Sequence, residues 1–175
     1  MSNQILFERE WAMPNHKTFW IAPIKKLIKE ERMDGEEFDA FPYPYKKDAL
    51  ENMKNIGEHT ILFGLYDPPY SQYQLAREYE NKGWSWKGNA HYFRLIDEQW
   101  NRIIKSGGKV IRCGWNSKRI SKQFELTRIL LVNHGASHND TIVTVQKKLP
   151  IPLHSNGEGE ELAKSLLQKC KELNA

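Results

Sequence analysis

A stretch of apolar and β-favouring residues at positions 60–66 ends abruptly in an acid, two prolines and an aromatic residue, which are Asp67, Pro68, Pro69 and Tyr70. The composition of the stretch predicts a strand that is buried on both faces, as in the parallel sheets of α/β proteins. Two consecutive prolines neither donate hydrogen bonds to a sheet nor enter a helix, so a stiff loop must follow the strand. In open α/β sheets, ligands bind at the carboxyl ends of the strands. The chain is therefore expected to form an α/β domain with a ligand site at Asp67.

The residues after this strand suit chemistry on an aromatic amine. The exocyclic amino group of adenine is a weak nucleophile, because its lone pair is delocalised into the ring. The carboxylate of Asp67 and the carbonyl of Pro68 can each accept one N–H of that amine, and the ring of Tyr70 can stack on a base that is flipped out of its helix. The alternative is an ordinary strand-to-loop turn, since Asp-Pro and Pro-Pro are common turn dipeptides.

Further segments flank this tetrapeptide on both sides. They are WAMPNHKTF at 11–19, SQYQL at 71–75, GGKVIRCGWNS at 107–117 and HNDTIVTV at 138–145. Together with the tetrapeptide they resemble the small, phage- and prophage-type adenine-specific DNA methyltransferases of the DPPY class, over about residues 10–148. The resemblance implies S-adenosylmethionine-dependent methylation of the adenine amino group in DNA. It also implies that the catalytic residues are Asp67, Pro68, Pro69 and Tyr70.

The periodicity of the chain predicts alternating helices and strands. Helices are predicted over 18–31, with Thr18 as the cap, and over 49–55, 75–82 and 92–105. Strands are predicted over 38–41, 60–66 and 110–113, followed by a hairpin of 124–132 and 141–147, while residues 5–10 are predicted to form a short arm. This pattern predicts a mostly parallel sheet with a terminal antiparallel hairpin and with the strand at 60–66 in a central position. By the resemblance, it is a Rossmann-like methyltransferase sheet that is truncated in its first half.

The domain organisation is predicted to be simple. Residues 1–150 are expected to form the methyltransferase-like domain, and residues 151–175 a linker and an amphipathic helix. That helix carries Leu162, Leu166, Cys170 and Leu173 on one stripe. It is predicted to dock on the sheet or to contact a second subunit.

The resemblance is least complete where the cofactor would bind. Relatives carry a glycine loop after their first strand and an acid at the end of the second, whereas this chain passes from Asp39 and Phe41 directly to Asp48. The intervening segment is too short for a strand, a crossover and another strand, because a crossover needs about a dozen residues. The candidate residues for binding S-adenosylmethionine are Phe19, Asp39, Phe41 and Asp48, with Asp48 in the role of the ribose-binding acid. Alternatively, the prolines and tyrosines at 42–45 fill the cofactor space.

Positive charge is concentrated in one part of the chain. The formal net charge is +4, and basic residues dominate the segment 101–128. A basic stretch beside the predicted site is what contacts with DNA phosphates require, and a solvated lysine-rich surface is the alternative. The candidate DNA-binding residues are Lys109, Arg112, Asn116, Lys118, Arg119, Lys122, His134 and His138. No metal site is predicted, because the two histidines lack a nearby third ligand in the sequence.

The composition also bears on the compartment. The two cysteines have no paired spacing, which argues against a zinc site or a disulfide framework and predicts a reducing cytoplasm, that of the host if the chain is phage-encoded. No apolar stretch approaches the roughly 20 residues of a membrane helix, and no signal-peptide pattern is present. The expected partners are DNA, a second copy of the chain through the C-terminal helix, and a host protein.

Three functions remain open at this stage. The first is methyl transfer to adenine in DNA, and the second is a degenerate methyltransferase fold that binds DNA or a host defence protein without catalysis. The third is methyl transfer to RNA or protein, since the tetrapeptide suits other planar amides and amines. The retained tetrapeptide favours the first function, and the missing glycine and second-strand acid favour the second.

Overall fold

The computed structural model describes residues 4–42, 47–83, 91–135 and 138–150. These residues form a six-stranded sheet in the order β1-β5-β6-β4-β3-β2. The strands are β1 (Leu6–Trp11), β2 (Glu37–Asp39), β3 (Ile61–Tyr66), β4 (Ile104–Gly114), β5 (Phe124–Asn133) and β6 (Thr141–Lys148). The helices are α1 (Ala22–Glu31), α2 (Ala49–Lys54), α3 (Gln72–Glu80) and α4 (Tyr92–Ile103), and a short 3-10 helix (Thr18–Trp20) precedes α1.

The predicted fold class is confirmed by the direction of the strands. Strands β2, β3 and β4 are parallel to one another, and β1 is parallel to β5. Strand β6 is antiparallel to both of its neighbours, β4 and β5, which gives the terminal hairpin. The predicted parallel pairing of 60–66 with 110–113 is present, with Gly64 opposite Val110. Strand β3 is interior but lies next to the edge strand β2, so its predicted central position is corrected.

Three local predictions are wrong. Residues 6–11 form the edge strand β1 instead of an arm, because they pair with β5 although nearly all of their side chains are exposed. Thr18 does not cap a long helix, since the chain first makes a 3-10 turn and α1 then begins after Ile21 without a side-chain cap. Strand β4 starts at Ile104, directly after α4, instead of after the glycines at 107 and 108.

Apolar side chains cover the two faces of the sheet separately. On one face, α1 packs Ile24 and Leu27 against the middle strands. On the other face, α2, α3 and α4 form a second cluster around Trp100, which is fully buried. Gly64 of β3 makes the approach of α4 possible, because a Cβ at this position would lie 2.5 Å from the Trp100 ring. The continuous apolar run of β3 is thus buried between two helical layers, as expected for a parallel strand.

The first half of the fold is as short as the sequence predicts. Among the described residues between β2 and β3 there is a helix, α2, and no strand, so β2 forms the sheet edge. The predicted C-terminal helix and the residues 43–45 of the proposed plug lie outside the described residues. Within the described part of the chain, no helix has the length and apolar character needed to cross a membrane.

Candidate active site

Asp67 follows β3 directly and lines a cleft at the carboxyl end of the strand. The cleft has a volume of about 130 Å³ and is lined by His16, Lys17, Thr18, Phe19, Trp20, Asp39, Phe41 and Asp67. Asp39 reaches the same place because it is the last residue of β2, the parallel neighbour of β3. The hydroxyl of Thr18 donates a hydrogen bond to the Asp67 carboxylate. We call this the acidic cleft.

The two carboxylates of the acidic cleft are difficult to ionise. Burial raises the pKa of Asp67 to about 6, although the hydrogen bond from Thr18 acts in the opposite direction. Burial also raises the pKa of Asp39 to about 6, with a further contribution from the negative charge of Asp67. The backbone N–H of Phe41 donates to the Asp39 carboxylate at 2.9 Å and opposes this shift. A positively charged ligand favours the ionised form of both carboxylates, so a site of this kind is suited to binding a cation.

Asp48 lies outside this cleft. Its Oδ1 accepts the backbone N–H of Glu51 at 2.9 Å and thereby caps α2. Its Oδ2 accepts the hydroxyl of Tyr92 at 2.9 Å, and Tyr92, the first residue of α4, is buried in the core. Both carboxylate oxygens are therefore used within the fold, one to cap α2 and the other to join α2 to α4. The structure brings Phe19, Asp39 and Phe41 together and separates Asp48 from them.

A second cleft opens on the other side of the Asp-Pro-Pro-Tyr turn. It has a volume of about 240 Å³, and its lining includes Pro68, Pro69, Tyr70, Asp97, Arg112, Trp115, Asn116 and Lys118. The rings of Tyr70 and Trp115 stack in this cleft, with centroids 4.7 Å apart and planes inclined by 14°. Burial raises the pKa of Asp97, which accepts the Tyr66 hydroxyl at 3.2 Å. We call this the aromatic cleft.

A buried chain of hydrogen bonds fixes the hydroxyl of Tyr70. Tyr70 bonds to the side chain of Thr141, whose Oγ1 lies 2.9 Å from Nε2 of His134. Nδ1 of His134 lies 2.7 Å from the carbonyl oxygen of Ala12, so this nitrogen carries the proton and donates it. In the neutral tautomer, Thr141 then donates to His134 and Tyr70 donates to Thr141. Burial raises the pKa of Tyr70 to about 12, so the phenol remains protonated at neutral pH.

The candidate DNA-binding residues are distributed over different surfaces. Asn116, Lys118, Arg119, Lys122 and His138 are exposed, and Arg112 is half-buried in the wall of the aromatic cleft. Lys109 lies on the opposite face of β4, where its ammonium pairs with Glu31 of α1 at 2.8 Å. His134 is only 4% exposed, and both of its ring nitrogens are bonded within the protein. In this structure Lys109 and His134 therefore hold the fold together and do not face the clefts.

Several residues of the two clefts escape prediction from the sequence. Thr18 was expected to cap a helix, and it instead donates to Asp67. No short sequence motif marks Trp20, Asp97 or Trp115 as a site residue. From its spacing in the sequence, Asp97 would be placed on the solvent-exposed face of its helix. The signal for Trp115 was present in the segment 107–117, because its loop follows the strand next to β3. Loops at the carboxyl ends of adjacent parallel strands meet at one edge of the sheet.

No family model and no curated protein matches the chain. Among solved structures, a candidate methyltransferase from Escherichia coli, yhhF, is similar at 11% identity over 60% of this chain and 47% of that one, with a TM-score of 0.35. A candidate methylase from Haemophilus influenzae, HI0767, matches at 11% identity over 83% and 73%, with a TM-score of 0.35. A candidate type 11 methyltransferase from Sulfolobus solfataricus matches at 12% identity over 86% and 88%, with a TM-score of 0.39.

This chain spans about half the length of the Escherichia coli protein, 47%. These three structural neighbours are described as methyltransferases or methylases, at 11–12% identity. At TM-scores below 0.5, these likenesses do not assign the chain to a family, and its chemistry rests on the residues of the two clefts.

Proposed function

We propose that this protein transfers a methyl group from S-adenosylmethionine to the exocyclic amino group of adenine in DNA. The observation that carries the proposal is the position of the Asp-Pro-Pro-Tyr turn between two clefts of different chemistry. The acidic cleft, with Asp39 and Asp67, suits a cation, and the aromatic cleft, with Tyr70, suits a planar base.

The residues of the acidic cleft fit the reactive part of the cofactor. S-adenosylmethionine supplies a methyl group bonded to a positively charged sulfur. Asp39 and Asp67 offer negative charge, and Phe19, Trp20 and Phe41 offer aromatic rings, a combination that attracts cations. Whole-ligand pockets usually measure about 300–1,000 Å³. The cleft of about 130 Å³ would therefore accommodate one part of such a ligand, the part that carries the positive charge.

The turn itself activates the amine. The Asp67 carboxylate and the Pro68 carbonyl each accept one N–H of the amino group, which directs its lone pair away from the ring. Two prolines in succession hold that carbonyl in a fixed direction. When the new N–C bond forms, the nitrogen must lose a proton. With a pKa of about 6, Asp67 is a suitable acceptor near neutral pH.

Cofactor binding is expected to depend on pH because the two carboxylates of the cleft titrate near 6. Their folded pKa values are raised, so the anionic forms that attract a cation become populated only as pH rises through about 6. Calorimetric titration with S-adenosylmethionine should therefore show affinity that increases from pH 5 to pH 7 by about 10-fold, equivalent to one pKa unit of coupling. Asp39→Asn should remove part of this dependence.

S-adenosylhomocysteine is the matched control for this titration, since its sulfur is uncharged. Its affinity should change less between the two pH values than that of the cation. Equal pH dependence for both ligands would contradict the role assigned to the two carboxylates.

The exposed basic loop beside the aromatic cleft is proposed to contact DNA phosphates. Lys118→Glu combined with Arg119→Glu should weaken binding of DNA of any sequence and reduce the salt dependence of the affinity, since about one counterion is released per neutralised phosphate. Fluorescence anisotropy across a salt series measures both quantities. Lys25→Glu combined with Lys29→Glu is the matched control, because these exposed lysines lie on α1 away from the aromatic cleft. Equal losses in the two double variants would show that only net charge matters.

The second candidate function is a binding module that has lost catalysis. It is favoured by the engagement of both Asp48 oxygens within the fold and by the lack of a strand between β2 and β3 among the described residues. In that case DNA or a host protein is the partner, and S-adenosylmethionine does not bind at millimolar concentration. The titration above separates the two functions, because only the enzyme requires the cofactor.

A further inference from the structure

The stacked pair of Tyr70 and Trp115 occupies the place where a base would stack. Trp115 is 55% exposed and Tyr70 is 36% exposed, so the pair lies at the surface of the aromatic cleft. Their nearly parallel contact at 4.7 Å covers a face of the Tyr70 ring with a planar, fused two-ring system. An indole has about the size and shape of a purine. The position of one therefore excludes the other from the same ring face.

We propose that Trp115 is a placeholder for the target base, which leaves Tyr70 when a nucleobase arrives. This inference rests on the function proposed above, and it names a purine in single-stranded or flipped-out form as the competing ligand. Stacking strength grows with the area of the rings, so a purine displaces the indole more effectively than a pyrimidine does.

Tyr70 is the fixed member of the pair. Its hydroxyl is held by Thr141, and its backbone N–H donates to Oε1 of Gln74 at 3.0 Å. One bond holds the hydroxyl end of the side chain, and the other holds the backbone of the residue. The ring of Tyr70 therefore remains in place while its partner changes.

Trp115 is the mobile member, since its loop is weakly restrained. The guanidinium of Arg112 donates to the Asn116 carbonyl at 3.4 Å, to the Asn116 side chain at 3.3 Å and to the Lys118 carbonyl at 3.3 Å. These distances exceed the usual range for N–H···O bonds of about 2.7–3.2 Å. Residues 115–119 are all exposed. The loop is held more firmly at Lys118, because Nε2 of Gln146 donates to its carbonyl at 3.1 Å and its ammonium lies 3.6 Å from Asp97. Displacement of Trp115 and Asn116 alone thus breaks few strong contacts.

A second site that can accommodate the indole lies next to the aromatic cleft. Trp115 also lines a cleft of about 350 Å³ formed with Leu131, Asn139, Asp140 and Ile142. The side chains of Leu131 and Ile142 give this cleft an apolar floor that can receive the displaced ring. The indole therefore exchanges one apolar contact for another instead of moving into water.

The consequence is a measurable cost for base binding. The apparent affinity for a base equals the intrinsic affinity multiplied by the fraction of molecules in which Tyr70 is uncovered. A stacked aromatic pair of this kind changes the equilibrium constant between the covered and the uncovered state of Tyr70 by a factor of about 2 to 10. Trp115→Ala should therefore bind a base more tightly than the wild-type protein by about 2- to 10-fold.

The experiment uses a short thymidine oligonucleotide that carries one 2-aminopurine, a fluorescent purine whose emission is quenched by stacking. Anisotropy gives its affinity, and emission reports contact of the purine with an aromatic ring. Trp115→Ala should tighten binding and retain the quenching, whereas Trp115→Phe should behave like the wild type. Tyr73→Ala, at a 78% exposed position on α3 that lines neither cleft, is the matched control and should change nothing.

The outcomes separate the placeholder from the base site itself. Equal or weaker binding by Trp115→Ala, with thermal unfolding unchanged, would overturn the placeholder and would make Trp115 a part of the binding platform. Tyr70→Ala should abolish the quenching, which supports the base site independently. Two results would contradict the base site at Tyr70 and, with it, the placeholder role of Trp115. One is the absence of purine quenching by both the wild type and Trp115→Ala, and the other is quenching that survives in Tyr70→Ala.

Discussion

Asp67→Asn is expected to lower the rate of methyl transfer to adenine by at least about 100-fold, within the range seen for positioned acid–base groups. The amide keeps the shape of the carboxylate, but its NH₂ group repels the amine N–H and cannot accept the proton that the nitrogen loses. Folding should be retained, since burial raises the pKa of Asp67 and makes its charged form unfavourable for the fold. Transfer of labelled methyl groups into adenine-containing DNA measures the rate, and thermal unfolding verifies the fold.

Asp48→Asn is the matched control for this variant. It changes another carboxylate at a position outside both clefts, and asparagine caps a helix as well as aspartate does. Its transfer rate should stay close to that of the wild type. If Asp67→Asn is as active as Asp48→Asn, Asp67 has no part in the mechanism. If Asp67→Asn fails to fold, the role of Asp67 is to stabilise the turn after β3.

The wild-type rate should rise with pH through about 6, because only the ionised Asp67 carboxylate can accept the proton that the amine loses. The same carboxylate destabilises the folded protein. Since its folded pKa is raised, the stability contribution is largest below the ordinary pKa of about 3.9 and declines as pH rises through about 6. Ionisable groups whose charged form lowers the stability of the folded protein are typical of active sites.

Arg128→Met is expected to lower the free energy of unfolding by about 3 kcal/mol at neutral pH, the lower end of the range for breaking a buried ion pair. The guanidinium is only 13% exposed and pairs with Glu30 at 2.8 Å and with Glu31 at 3.1 Å. It also donates to Oε1 of Glu8 at 3.0 Å, which ties β1 to β5 and α1. Removing the cation leaves these carboxylates facing one another. Water screens part of the repulsion among the carboxylates and limits the loss, because Glu8 and Glu30 are 35% and 41% exposed.

Urea unfolding at two pH values tests this expectation. Hydrogen bonds from Arg128 lower the pKa of Glu8, and bonds from Lys109 and Arg128 outweigh the opposing effect of burial and lower the pKa of Glu31. With lowered folded pKa values, the stabilisation is complete above the ordinary glutamate pKa and is lost as pH falls through the folded values. The difference between Arg128→Met and wild type should therefore shrink at acidic pH.

Arg32→Met serves as the control for the loss of a surface pair. Arg32 binds Glu37 at 2.8 Å, but its side chain is 63% exposed, so the change should stay below about 1 kcal/mol. Similar losses in the two variants would mean that the buried network contributes no more than an ordinary surface pair.

Much of the fold could be predicted because the relevant signals are local. The apolar run of β3, the helical spacing of apolar residues in α4 and the pattern of the β5–β6 hairpin each indicate an element from neighbouring residues alone. Strand β1 could not be found in this way. Its sequence, LFEREW, lacks the alternation of apolar and polar side chains that marks a half-buried strand, and it forms a strand only because β5 offers a free edge.

The candidate site was predicted in part for the same reason. Asp67 and Asp39 follow recognisable strands, so the parallel sheet rule places both at one edge. Asp48 was assigned to the cofactor because an acid was missing elsewhere, but its oxygens bond to Glu51 and Tyr92. The position of Tyr92 relative to Asp48 depends on how α4 packs on α2, which no local pattern records.

By itself, the sequence determined that Asp67 ends a buried parallel strand, because apolar composition and proline stereochemistry act within a few residues. It also determined the short first half, since chain length limits what a segment can span. Only the tertiary structure decided that Thr18 donates to Asp67, that Trp115 covers Tyr70, and that His134 is buried and bonded to Ala12 and Thr141. These contacts join residues far apart in the chain, and they are set by packing and by the need to satisfy buried polar groups.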